Sequence, residues 1–286
     1  MCAVVISNNG EKSRHLCSIL ANTVNSIVIV TDSTKNFDWA KAQDFNITVI
    51  QSKSSDFAYL RNLGIWHCKG EYIFRIDDDE VVSKEVIDNI KCLEPETQAY
   101  NVLVRSKFMG KVVNMWDRLT PRIISRGSAH YIGRVHEHLA SRMLVVKNIP
   151  GLITNNSYEN WSDYWKKAMR YTSLEDKKLS VVVFRVFFPL YNYFSKSGYK
   201  DGILGLKITM ASLFYGFLMS CRGIRASTKL PSLDEVDVIT RQHISDIEDD
   251  KEREYIQFTL QSLKRGDIPL GSSLKDEISQ ILSVLL

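Results

Sequence analysis

Short apolar runs alternate with stretches of helical periodicity through the early part of the chain. Ala3-Val4-Val5-Ile6-Ser7 is apolar and β-branched, and Asn8-Asn9-Gly10 breaks it. From Glu11 to Val24, Leu16, Ile19 and Leu20 fall at helical spacing. Ser26 to Thr31 reads as a second buried strand, closed by Asp32-Ser33. A short helical stretch around Trp39 to Gln43 leads to a third strand, Ile47-Thr48-Val49-Ile50. Asp56 to His67 predicts a helix with Asp56 as its N-cap, ended by Lys69-Gly70. Tyr72-Ile73-Phe74-Arg75-Ile76 is a fourth strand that runs directly into Asp77. Continuous apolar strands separated by helices predict an α/β fold with a parallel sheet covered on both faces. Ligands in such sheets bind outside the carboxyl ends of the strands, so Asp32 and the acids from Asp77 share one predicted rim.

Beyond Val82 the pattern loosens. Ser83 is placed to cap a helix from Lys84 to Leu93, and Tyr100–Arg105 and Lys111–Asn114 read as strands of a smaller sheet. Arg118–Ser125 and His130–His138 follow, with a turn at Arg126-Gly127. From Trp161 helices dominate, punctuated by Pro189 and Gly198, and the stretch Ile203–Cys221 is largely apolar, interrupted by Lys207. This divides the chain into a catalytic α/β region at 1–158, a basic helical region at 159–230 and an acidic helical tail at 231–286.

Charge sharpens that division. Of 286 residues, 24% are charged and 44% hydrophobic, with a net charge of +4, which suits a folded protein and gives no sign of a nucleic-acid partner. From Asn160 to Leu230 twelve basic residues face four acidic ones, whereas from Pro231 onward six face twelve. A basic helical region with Trp161, Tyr164 and Trp165 beside Lys166, Lys167 and Arg170 suits a membrane surface, and an ordinary buried helix pair accounts for the same pattern. The five cysteines are scattered and odd in number, which predicts reduced thiols and a cytoplasmic chain, peripheral on the membrane if it binds there.

The candidate chemistry starts at Asp77-Asp78-Asp79-Glu80. Like charges held this close raise one another's pKa or recruit a cation, and residues two apart on an extended segment converge on one side. Asp77 and Asp79 are therefore candidates for Mg²⁺ or Mn²⁺; a solvated turn capping the next helix is the competing reading. Asp32 is either a nucleoside contact or a turn residue. Arg61, in Arg61-Asn62, either meets a diphosphate or the acidic cluster, or points to solvent. Gly133-Arg134-Val135-His136-Glu137-His138 places imidazoles around a carboxylate, with Glu137 a candidate base and His136 a candidate metal ligand or phosphate contact. No glycine-rich phosphate loop occurs, which argues against dehydrogenases and kinases.

Taken together and in this order, these segments resemble the family-2 glycosyltransferases of GT-A fold, most of all the subgroup of lipopolysaccharide-core glucosyltransferases. The resemblance rests on Ser7-Asn8-Asn9-Gly10-Glu11, Asp32-Ser33, Arg61-Asn62, Gly70-Glu71-Tyr72 leading to Asp77–Glu80, and Val135-His136-Glu137. Arg170-Tyr171 and Gly198-Tyr199-Lys200-Asp201-Gly202 extend it to about residue 222. The opening turn is one residue out of register, and the chain beyond Arg225 matches nothing in the subgroup. The resemblance implies a GT-A, Rossmann-like and mostly parallel sheet flanked by helices, with a C-terminal helical region. It implies inverting transfer of a sugar from a nucleotide donor, a UDP-sugar foremost, to a glycan or lipid-linked acceptor. Asp32, Arg61, Asp77 and Asp78 would hold the donor, Asp79 with Asp77 and His136 the Mn²⁺ or Mg²⁺, and Glu137 would deprotonate the acceptor. A sugar-phosphate nucleotidyltransferase and a degenerate membrane-associated scaffold are the alternatives.

Overall fold

The computed structural model describes residues 1–42, 45–134, 137–140, 145–174, 179–222, 231–269 and 272–285. Its first half follows the alternation read from the sequence: β1 (Cys2–Ile6), α1 (Gly10–Leu20), β2 (Ser26–Thr31), β3 (Ile47–Gln51), α2 (Phe57–His67) and β4 (Tyr72–Asp77). The four strands are parallel and ordered β3-β2-β1-β4. Successive strand side chains face opposite ways. Val4, Val28, Val30 and Ile73 therefore pack with Leu60 and Leu63 of α2, while Val5, Ile27, Ile29 and Phe74 pack with Leu16 and Leu20 of α1. Both helices start at side-chain caps: Asn9 accepts from the Lys12 amide and Asp56 from the Tyr59 amide. The break at Asn8-Asn9-Gly10 is thus also a helix start, and α1 ends at Leu20 rather than at the expected Val24.

The second half makes the sheet mixed. β5 (Glu80–Val82), α3 (Lys84–Asn89), β6 (Ala99–Phe108), β7 (Lys111–Val112) and β8 (Arg118–Ser125) are followed by a separate hairpin, β9 (Tyr131–Ile132) with β10 (His138–Leu139), and by β11 (Val146–Tyr158). β8 runs antiparallel between β4 and β6; β11 runs parallel to β6 and antiparallel to β5. β11 has 13 residues and lies outside the strands expected from the sequence. Ile149 and Ile153 are its buried hydrophobic residues, so it carries no continuous apolar run.

Among the described residues six helices follow: α4 (Trp161–Leu174), α5 (Leu179–Ser195), α6 (Gly202–Arg222), α7 (Leu233–His243), α8 (Asp250–Lys264) and α9 (Leu274–Leu285). The last three, which the sequence leaves unplaced, cover α2: Val236, Ile256, Leu260, Ile278 and Ile281 share one core with Leu60 and Leu63. Their acids serve as joints. Asp249 caps α8 through the Lys251 amide and accepts the Gln51 amide at the end of β3, at 2.8 Å in each case. Asn62 donates to the Tyr131 carbonyl and to Gln280 of α9, at 2.8 and 2.9 Å, and accepts the Tyr131 amide. The helix α2 approaches β1 closely at Gly64, where a Cβ would lie 2.6 Å from Val4. Contrary to the expectation of reduced thiols throughout, Cys2 of β1 and Cys68, which follows α2, are joined as a disulfide with Cα atoms 5.8 Å apart.

Glu252 of α8 is 3% exposed and accepts from the Tyr59 hydroxyl at 3.2 Å. Burial pushes its carboxyl up to about 7, against hydrogen bonds from Ser52 and Tyr59 that pull it down. Its proton affinity is higher folded than unfolded, so its contribution to stability is complete below the ordinary carboxylate range and is lost as pH rises through about 7. At ~1.4 kcal/mol per tenfold in proton affinity the loss is roughly 3 kcal/mol. Glu252→Gln should therefore raise Tm at about pH 8, leave it nearly unchanged at about pH 4, and flatten the pH dependence between them, as read by thermal denaturation.

Candidate active site

Ile6 lies beside Val30 on one side and Asp77 on the other, so β1, β2 and β4 end at one rim. Asp32 sits on that rim, exposed, with its carboxylate accepting from the Asn8 side chain at 2.8 Å and its amide donating to Asn8 at 2.9 Å. Gln51, ending β3, donates to the Asp32 carbonyl at 3.2 Å.

The acids after β4 sort themselves by the pleat. Ile73 faces α2 and Phe74 faces α1, so Arg75 and Asp77 also face α2. There the Arg61 guanidinium, 2% exposed, donates to Asp77. Burial raises the Asp77 pKa, but the charges of Arg61, Arg75 and Arg122 outweigh it and hold the carboxyl well below the usual range. Glu137, at the tip of the β9–β10 hairpin, places Oε1 3.1 Å from Arg75 and 3.6 Å from Arg61. The strand, the helix and the hairpin thus meet through two guanidinium groups.

The remaining acids differ. Glu80 turns inward, accepts the Asp77 amide at 3.0 Å and pairs with Arg122, which is 1% exposed, so it closes the turn from beneath. Asp78 accepts from the Ser7 hydroxyl at 2.5 Å. Burial and then the charges of Asp77, Glu80 and Asp78 push Asp79 up to about 7, with Lys167 opposing. The acidic run is therefore more than a solvated turn: two members are neutralised by arginine and Asp79 carries the excess charge.

A cavity of about 580 Å³ opens here, lined by Phe57, Arg61, Arg75, Asp77–Asp79, Arg122, Glu137, Lys167 and Tyr171 among others. Several buried guanidinium nitrogens at it, Arg61 Nη1, Arg75 Nε and Arg122 Nε and Nη1, have no hydrogen-bond partner among the described residues. Asp78, Asp79 and Tyr158 also line a second cavity of about 530 Å³ on the α1 side, beside Lys12, His15 and Leu16. Asp32 lies on the rim but lines neither cavity. His136 lies outside the described residues. Arg75, Arg122 and Lys167 did not stand out as site residues from sequence alone. Arg75 left a signal all the same, as a basic residue inside the apolar run of β4, whereas Arg122 shares β8 with Arg118 and stands out only by its burial.

The model of glycosyl transferase family 2 matches residues 14–136, which span the acidic turn and end just before Glu137. Over that segment, less than half of the chain, the protein is similar to the family 2 glycosyltransferases, and the match supports a glycosyltransferase. Comparison with curated protein sequences gives no match. Among solved structures, the crystal structure of S. aureus TarS 1-349 has 11% identity and a TM-score of 0.40, over 99% of this chain and 90% of that one. The same protein in complex with UDP-GlcNAc has 13% identity and a TM-score of 0.41, over 93% and 91%. Likeness at this level supports no inference about what this chain binds.

Removing one partner of the buried Arg122–Glu80 pair leaves an uncompensated charge. Arg122→Met should cost about 3–5 kcal/mol in urea denaturation, and adding Glu80→Gln should recover part of that loss.

Proposed function

We propose that the chain transfers a sugar from a nucleotide-sugar donor to an acceptor hydroxyl with inversion, assisted by a divalent cation. The observation that carries this reading is the cavity at the rim, where unpartnered buried guanidinium N–H groups stand beside a carboxylate, Asp79, with excess negative charge. Buried donors without acceptors call for an anion, and a diphosphate supplies several oxygens to them. An under-compensated carboxylate calls for a cation, and the two demands are met together by a metal-bound diphosphate.

The residues present fit such a cation. Carboxylate oxygens suit Mg²⁺ or Mn²⁺, and one or two carboxylates completed by substrate phosphates is a usual arrangement. Among the described residues no three His, Cys, Asp or Glu side chains converge as a closed metal site. Asp79 is the ligand the geometry favours, because Arg61 engages Asp77. When bound, the cation supplies Lewis-acid stabilisation of charge on the leaving diphosphate.

The chain's own groups supply the rest. Asp77, fixed by Arg61, holds the donor at the end of β4. Asp78, tied to Ser7, fixes the turn between the two cavities. Asp32 presents its carboxylate to the nucleoside from the neighbouring strand end. Glu137 faces the cavity from the hairpin and takes the proton of the acceptor hydroxyl as its oxygen attacks the anomeric carbon. Attack opposite the diphosphate inverts that centre. The acceptor is a glycan or a lipid-linked sugar.

Glu137→Gln should lower kcat about 10²–10⁴-fold with little change in donor affinity, as expected when a general base is lost. Asp79→Asn should abolish the response of donor binding to Mn²⁺ in calorimetry. Retained metal-dependent transfer in both variants, or a product with retained anomeric configuration by NMR, would overturn the proposal.

A further inference from the structure

The helix α6 has two apolar faces and the fold covers one. Ile208 and Ala211 pack on Phe108, Met115 and Tyr164. The opposite face carries Ile203, Leu206, Met210, Phe214 and Phe217, each more than half exposed, with Ile203 at 75%. Their positions recur at the three- and four-residue intervals of a single helical stripe. Helix α5 packs alongside α6 and adds Phe187, Tyr191 and Phe194 at the same intervals, with Phe194 69% exposed. Eight large side chains left in water on one hairpin exceed what monomeric soluble proteins ordinarily expose.

Charge selects what covers this face. From Leu179 to Arg222, the span of the two helices, the sequence holds Arg185, Lys196, Lys200, Lys207 and Arg222 against a single acid, Asp201. Lys196, Lys200 and Lys207 are exposed. Asp201 is turned into the fold, where it accepts from the amide and side chain of Asn114 at 3.1 and 2.6 Å. An apolar stripe rimmed by lysines complements an anionic headgroup layer over acyl chains. A second copy would set lysines against lysines, which like-charge repulsion disfavours. Gly198–Leu218 is long and apolar enough to cross a membrane by composition, but its other face is committed to the core beneath β6. A helix packed on that side lies along a bilayer rather than through it.

We propose that the α5–α6 hairpin docks on an anionic lipid bilayer, with Phe194, Ile203, Met210 and Phe214 among the acyl chains and Lys196, Lys200 and Lys207 at the headgroups. Helix α4, which packs on α6, also carries Lys167 into the cavity beside Asp79. The site is thereby held at a fixed offset from the membrane.

Vesicle flotation of the full chain tests this without donor or acceptor, so its outcome is independent of the sugar-transfer reading. The wild type should float with phosphatidylcholine vesicles containing phosphatidylglycerol, and weakly with phosphatidylcholine alone. Phe194→Glu with Phe214→Glu should reduce flotation about tenfold or more while leaving circular dichroism unchanged. Lys196→Glu with Lys200→Glu, which touches no apolar contact, should reduce binding to the anionic vesicles by about the same factor and remove its salt dependence. Absence of wild-type flotation, equal flotation of all variants, or a wild-type dimer that does not float and that the phenylalanine substitutions convert to monomer would overturn the proposal.

Discussion

Three guanidinium groups buried at the end of β4 need counter-charges, and the site is what satisfies them. Arg122 takes Glu80, Arg61 takes Asp77, and Arg75 with Arg61 takes Glu137. An unpaired buried charge costs far more than a paired one returns. The acidic turn, helix α2 and the β9–β10 hairpin are consequently locked in one arrangement. The same balance leaves guanidinium N–H groups and one carboxylate unsatisfied at the cavity. Incomplete neutralisation at this cavity is the feature on which the proposed binding of a metal-bound diphosphate rests.

Much of the fold was legible because parallel strands buried on both faces leave continuous apolar runs, and because Asp56 and Ser83 are caps with a local mechanism. The rim could be read from the same pattern, since strand ends carrying Asp32 and Asp77 had to fall together. Other elements left no such trace. Strand β11 buries few apolar residues and gains its place by pairing with β6 and β5. The inward turn of Glu80 depends on Arg122, far along the chain, and no local pattern announces it. Asn62 read as part of a functional pair with Arg61, yet its side chain is spent on Tyr131 and Gln280.

The basic and acidic segments turn out to differ in kind. The helices α5 and α6 keep their charge at the edge of an uncovered apolar face. The helices α7–α9 spend theirs on caps, on Gln51 at the end of β3 and on His130, which pairs with Glu277 at 2.8 Å. Net charge per segment registers the asymmetry; only packing shows that one segment is a surface and the other a buttress.

The bond from Asn62 to Gln280 joins residues 218 apart in sequence, whereas the strands of the parallel half close over much shorter loops. Long closures come late when a chain folds, since their entropy is repaid only after nearer contacts exist. Tyr131, held from both sides by Asn62 and Gln280, anchors the hairpin that presents Glu137. The seating of Glu137 thus depends on a contact between distant parts of the chain as well as on the arginines of β4 and α2.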